Sequence, residues 1–183
     1  HDGLTFQEKA DEYTARAIET FQFHEFEWTS GPGSSEGHYR TPPDFPAGRD
    51  TGPPDTQIPM NMQASIGRTL VALAAVTGEA LYWQRAARVA HYVKNRLSLV
   101  NGTYVWTYNP GFNEYPDDVS HGALVVDFAT VCAKEGIVFG VQDLERFAAT
   151  FTKNMVRNEG QVWNLVNGTS DEDADEDQAQ APR

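Results

Sequence analysis

Apolar positions recur at helical spacing in five stretches of this chain, and the polar stretches between them alternate between long and short. Phe6, Ala10, Tyr13, Ala17 and Phe21 fall on one helical face, and Thr5 with Glu8 makes a capping box, so the spacing predicts a first helix over 6–23. Pro59 suits a first helical turn, after which Met62, Ile66, Leu70 and Leu73 form a stripe that ends before Gly78. Tyr82, Ala86, Val89, Ala90, Val93 and Leu97 predict a third helix, separated from the second only by the Thr77-Gly78-Glu79 turn. Ser120 can cap a fourth, whose face is Leu124, Phe128, Val131 and Cys132 and whose close is Gly136. Leu144, Phe147, Ala148, Phe151 and Met155 mark a fifth. The expected class is all-α.

The links localise function. About 35 residues rich in Gly, Pro and Ser separate the first two helices, and about 20 separate the third from the fourth. The other two joints are a few residues long. Short joints favour antiparallel neighbours, so successive helical hairpins would collect every long link at one end, where sites are usually built. That end would hold His38, Arg40, Arg49, Asp50, Asn61, Gln63, Trp106, Tyr108, Glu114, Tyr115, Asp117, Asp118 and His121.

Composition narrows the partners. A chain of 183 residues with 40% hydrophobic content suits one domain, here expected as a helical-hairpin domain over 1–165 followed by an acidic, disordered tail over 166–183. The net charge of −12 excludes nucleic acid as a partner, since phosphate neutralisation needs a basic face. Half of that charge sits in the run Asp171, Glu172, Asp173, Asp175, Glu176 and Asp177, so the body is only mildly acidic. No apolar run approaches the ~20 residues of a membrane span, so no membrane partner is expected. Cys132 is the single cysteine; with no second thiol for a disulfide it reads as a buried structural residue. The start at His1 reads as a processed or excised product, and Asn101-Gly-Thr103 and Asn167-Gly-Thr169 fit the glycosylation acceptor pattern.

The segment from Tyr104 to His121 brings aromatics, carboxylates and a histidine into one loop that enters a helix. Trp106 and Tyr108, two apart in an extended segment, would project to one side and could stack on sugar rings. Asp117 and Asp118 precede the fourth helix; one could cap it, and the other could serve glycoside hydrolysis with Glu114, Asp50 or Asp127 as the second carboxylate. Asn61 and Gln63 open the second helix, either as its solvated face or as ligand contacts. Asn61 could hydrogen-bond a uronate carboxylate, with His121, Arg40 or His38 helping to neutralise it. A tyrosine would then move the proton in β-elimination, with Tyr108 the first choice and Tyr115 the second. The five histidines show no paired ligand spacing, and the acidic run lacks the spacing of a calcium loop, so neither a metal nor another cofactor is expected.

With Asn61-Met-Gln63-Ala-Ser-Ile-Gly67-Arg68, Tyr82-Trp-Gln-Arg85, Val105-Trp106-Thr-Tyr108 and Asp117-Asp-Val-Ser-His121-Gly on these links, the chain resembles the (α/α) toroid carbohydrate-active proteins over roughly 5–165. Within them it looks most like uronate-directed polysaccharide lyases. The resemblance implies antiparallel helical hairpins forming part of an (α/α) toroid or a short solenoid, with the long loops at one end. It implies an extracellular or secreted protein acting on polysaccharide, with Asn61, His121 and Tyr108 as catalytic residues and Trp106, Tyr115, Arg40, Gln63 and Asp118 as substrate contacts. A closed toroid needs many more helices than five. The first and last would therefore expose apolar flanks, covered by the remainder of a larger chain or by an oligomer, or else capped as a small solenoid. A glycoside hydrolase of the same architecture and a noncatalytic glycan-binding or self-assembling protein are the alternatives.

Overall fold

The computed structural model describes residues 3–30, 33–45, 53–157 and 160–170. Five α-helices form close to the predicted places: α1 (Phe6–Phe23), α2 (Met60–Thr77), α3 (Ala80–Lys94), α4 (Val119–Lys134) and α5 (Val141–Ala149). α5 continues into a π-helical turn at Thr150–Met155 instead of running on as one α-helix. The fold is mainly helical rather than all-α, because three antiparallel strand pairs occupy the long links: β1 (Trp28–Thr29) with β2 (His38–Tyr39), β3 (Ser98–Val100) with β4 (Thr103–Val105), and β5 (Thr107–Asn109) with β6 (Asn113–Pro116). The tightest, β3–β4, turns on Asn101 and Gly102, both left-handed (φ 50° and 81°), as a two-residue hairpin turn requires.

α2 is the axis of the packing and touches α1, α3 and α4. Gly78 ends it in the left-handed conformation (φ 74°), and the chain turns directly into α3, giving a helical hairpin. Against α4 the approach is close: a Cβ on Gly67 would lie 2.5 Å from the Phe128 ring. Leu70, Val71 and Leu73 of α2 close the core with Val89 and Val93 of α3 and Phe128 of α4, all buried. Each such side chain contributes roughly 1.5–3 kcal/mol of transfer free energy. Cys132 is buried here as well, and burial pushes its thiol up to about 12, which fits an inert structural role.

A polar knot fixes α5 to its neighbours. Asp143 accepts from Lys94 Nζ at 2.8 Å, from the Tyr104 hydroxyl at 2.6 Å and from the Gly140 amide at 2.8 Å. Burial would raise its carboxyl, but these donors outweigh it and hold Asp143 below the usual range. The described parts of the first long link are anchored on α3 and the turn just after it. Arg85 pairs with Glu25 and lies over the Trp28 ring at 5.0 Å, Arg88 reaches Ser30 at 2.9 Å, and Arg96 reaches Glu36 at 2.9 Å.

Two boundaries move. Val166, expected in the tail, is buried in the core, so the packed body runs past 165; residues 171–183, which include the acidic run, lie outside the described residues. The cap of α4 is Asp118, not Ser120: Asp118 Oδ1 accepts from the Ser120 and His121 amides at 2.7 and 3.0 Å. Both flanks of the helix array expose apolar surface. On one side Phe6 is 95% and Tyr13 69% exposed; on the other an apolar groove of about 520 Å³ runs between α4 and α5, lined by Val126, Leu144, Phe147 and Phe151 among others. Among the described residues no helix is long and apolar enough to cross a membrane.

Candidate functional site

The β5–β6 hairpin leads into α4, and this junction gathers the chemistry. Asp117 is fully buried: its Oδ2 accepts from Trp106 Nε1–H at 2.6 Å, its Oδ1 accepts from the Asp118 amide at 3.1 Å, and its carbonyl accepts from the Val166 amide at 2.9 Å. Burial pushes the Asp117 carboxyl up to about 6, opposed by the Trp106 donor and reinforced by the neighbouring Asp118 charge. Gly122 makes room for this arrangement, since a Cβ there would lie 3.0 Å from Trp106. Asp118 behaves oppositely. Burial would raise it, but the Ser120 and His121 donors bring it down to about 2, so it is a carboxylate throughout the neutral range.

His121, in the first turn of α4, is held on two sides. Its Nδ1 hydrogen-bonds Asp118 Oδ2, and its ring packs edge-on against Tyr108, centroid to centroid 5.0 Å at 61°. Tyr108 lies where the β5–β6 register shifts, between Thr107 and Asn109. Such an irregularity turns a side chain off the regular pleat.

The first long link meets this hairpin. Gln57 Nε2 donates to the Pro110 carbonyl, and Gln57 itself bridges Arg40, so Arg40 is one strand away from the β5–β6 turn. Arg40 pairs with Asp55 at 2.8 Å, while its buried Nε has no partner among the described residues. α2 packs against β5, and Asn61 in its first turn is buried with Oδ1 likewise unpartnered. Tyr115 is half-buried on β6.

Two expected substrate contacts are taken up by the fold. Gln63 is 0% exposed, accepts from the Tyr39 amide at 3.0 Å and donates to the Tyr39 carbonyl at 2.7 Å, so its amide locks β2 onto α2. Trp106 is 4% exposed, packs edge-on against Phe147 at 5.6 Å, and therefore offers no open face for a sugar at the hairpin. His38 is stacked on Tyr92 at 4.8 Å, and burial, with Arg96 and Arg40 adding to it, pushes its imidazole down to about 4. A neutral ring cannot offset a carboxylate.

The hydrolytic pair fares less well. Asp117 has no exposed surface from which to reach a glycosidic oxygen. Asp127 is bound to Arg68 at 2.8 Å, and nine residues of helical rise separate it from Asp118 by about 13 Å, beyond the ~5–9.5 Å that glycosidases use. Arg49 and Asp50, like His1, lie outside the described residues, as does the side chain of Glu114.

Asp117, Asp118 and His121 present ligand atoms that all lie within 4.8 Å of one another, and among the described residues they form the one grouping able to hold a metal ion. Asp117 Oδ2 already accepts from Trp106, and His121 Nδ1 is taken up by Asp118 Oδ2 within the group. The periodicity gave no sign of Asn109, which is fully buried with both amide atoms unpartnered among the described residues. Asn-Pro reads as a turn starter, and that reading masks it. Comparison with known proteins returned no matching family model, no matching curated protein and no matching solved structure.

Proposed function

We propose that this chain is a glycan-processing protein built as part of an (α/α) toroid, and that it is a secreted polysaccharide lyase cleaving uronate-containing chains by β-elimination. The observation that carries this reading is the meeting of a phenol and an imidazole, Tyr108 against His121 at 5.0 Å, at the hairpin that packs on α2, whose first turn holds Asn61. Elimination from a 4-linked uronate removes the proton on C5, forms the C4=C5 double bond, breaks the C4–O bond and returns a proton to the leaving oxygen. That sequence needs proton-handling groups at C5 and at the leaving oxygen, and donors on the uronate carboxylate to acidify C5. Tyr108 and His121 supply the first, Asn61 and Arg40 the second, and Tyr115 stands on the adjacent strand. The buried Asp117 and the distant Asp127 favour elimination over hydrolysis. The open apolar groove between α4 and α5 suits an incomplete ring whose next hairpin lies on another chain or on more of this one.

The test is ultraviolet absorbance of the conjugated product across a panel of polyuronates. Wild-type protein should give a rising signal and His121→Ala should lose about 10²-fold or more of the rate with its helical circular dichroism intact. No rise with folded wild-type protein on any polyuronate would end the proposal.

A further inference from the structure

Asp118 divides its two oxygens between two tasks. Oδ1 caps α4, accepting from the Ser120 and His121 amides and from the Ser120 hydroxyl at 2.5 Å, and Oδ2 faces His121 Nδ1. The carboxylate cannot drift, because the helix N-terminus holds one oxygen while the backbone on both sides is pinned: the Asp118 amide donates to Asp117 at 3.1 Å, Asp118 bridges Leu165, and the Val119 amide donates to Asn164 at 2.8 Å. An ionised carboxylate only accepts, so the hydrogen in the Asp118–His121 bond must sit on Nδ1. In the neutral ring the lone pair is then on Nε2. Tyr108 packs against the same imidazole and restrains its rotation.

We infer that Asp118 is a positioning residue, not a substrate contact: it fixes His121 in the Nδ1–H form and makes Nε2 the atom that takes the proton. This rests on the lyase reading of the same site and changes one role within it. A protonated His121 is already neutralised by Asp118, so the pair carries no net charge to offset a uronate carboxylate. That task falls to Asn61, whose amide carries no counter-charge, and to Arg40 once the uronate takes the place of the exposed Asp55 carboxylate, and His121 becomes a proton carrier alongside Tyr108. In the elimination step Nε2 gains the C5 proton, Asp118 stabilises the imidazolium that results, and the leaving oxygen is protonated by Tyr108 or by the imidazolium itself.

The experiment is long-range proton–nitrogen NMR of the neutral His121 ring in alkaline buffer, in wild-type protein, Asp118→Asn and Asp118→Ser. Asn and Ser both keep a good helix cap. Wild type should show its N–H on Nδ1. In Asp118→Asn the side-chain amide donates to Nδ1 and moves the hydrogen to Nε2; in Asp118→Ser, where the hydroxyl is too short to reach the ring, the preference for Nδ1 is lost. Turnover of a polyuronate should fall about 10²-fold or more in both while KM changes little. A wild-type ring with its N–H on Nε2, or a tautomer indifferent to both substitutions, would overturn the inference and leave the lyase reading standing, with Asp118 a helix cap alone. The expected tautomer in a folded protein that cleaves no polyuronate would overturn the lyase reading, and the positioning role would fall with it.

Discussion

α1 and α2 are both 18 residues long and both carry apolar residues at helical spacing, yet α2 buries nine of its residues and α1 buries none. Local signals favour α1: it has a complete capping box, in which Thr5 and Glu8 bond reciprocally, whereas Pro59 gives α2 no side-chain cap. Helix signals therefore say where a helix forms, and neighbours decide what it is worth. α2 has partners on three sides and holds the site end of the molecule in place. α1 rests only lightly on its neighbours, with Ala17, Ile18 and Phe21 half-buried, while Phe6 and Tyr13 face outward.

The most severe way to break this contrast is Phe128→Ala, which empties the contact between α4 and the Gly67 face of α2. It should cost about 3–5 kcal/mol in chemical denaturation. Phe6→Ala on α1 should stay within about 0.5 kcal/mol, so equal losses at the two positions would refute the distinction.

A titration sharpens the contrast at the site end. The raised Asp117 carboxyl means the fold prefers it protonated; that contribution is fully present below its ordinary value of 3.8 and is lost as pH rises through about 6. The loss across that window is on the order of 3 kcal/mol. His38 opposes it, because a depressed imidazole contributes stability above its ordinary value of 6.5 that is lost as pH falls through about 4. The Asp117 effect is therefore read as a difference: the stability gap between wild type and Asp117→Asn should change across pH 4–6 and level off above it. A gap flat with pH would show that Asp117 keeps an ordinary carboxyl.

The smallest effect belongs to the α1 cap. Thr5→Ala should cost about 1 kcal/mol and raise amide exchange in the first turns of α1 without disturbing α2. Protection lost in α2 as well would mean that the two helices unfold together.

The five helices were legible because 3.6-residue periodicity survives wherever one face is buried, as the stripe Leu70, Leu73 and Ala74 does in α2. The hairpins were less so. Strands of two to four residues are too short for a period to emerge, although Asn101-Gly102 between Leu99-Val100 and Tyr104-Val105 was a hairpin signal in plain view. At the site, the nearness of Asp118, His121 and Tyr108 was readable because they share one loop and helix start. The burial of Trp106 and Gln63 was not, since each is buried by partners far along the chain: Phe147 for the indole and Tyr39 for the amide. Sequence showed which residues could do chemistry; packing decided which of them face outward.

The central claim, that the hairpin-bearing end cleaves uronate chains by elimination, is tested most directly by weighing the products of one digestion. Elimination predicts fragments whose masses sum to that of the starting oligosaccharide, one of them carrying an unsaturated uronate end. Fragments that together exceed the substrate by one water for each bond broken would mean hydrolysis, and would contradict the account.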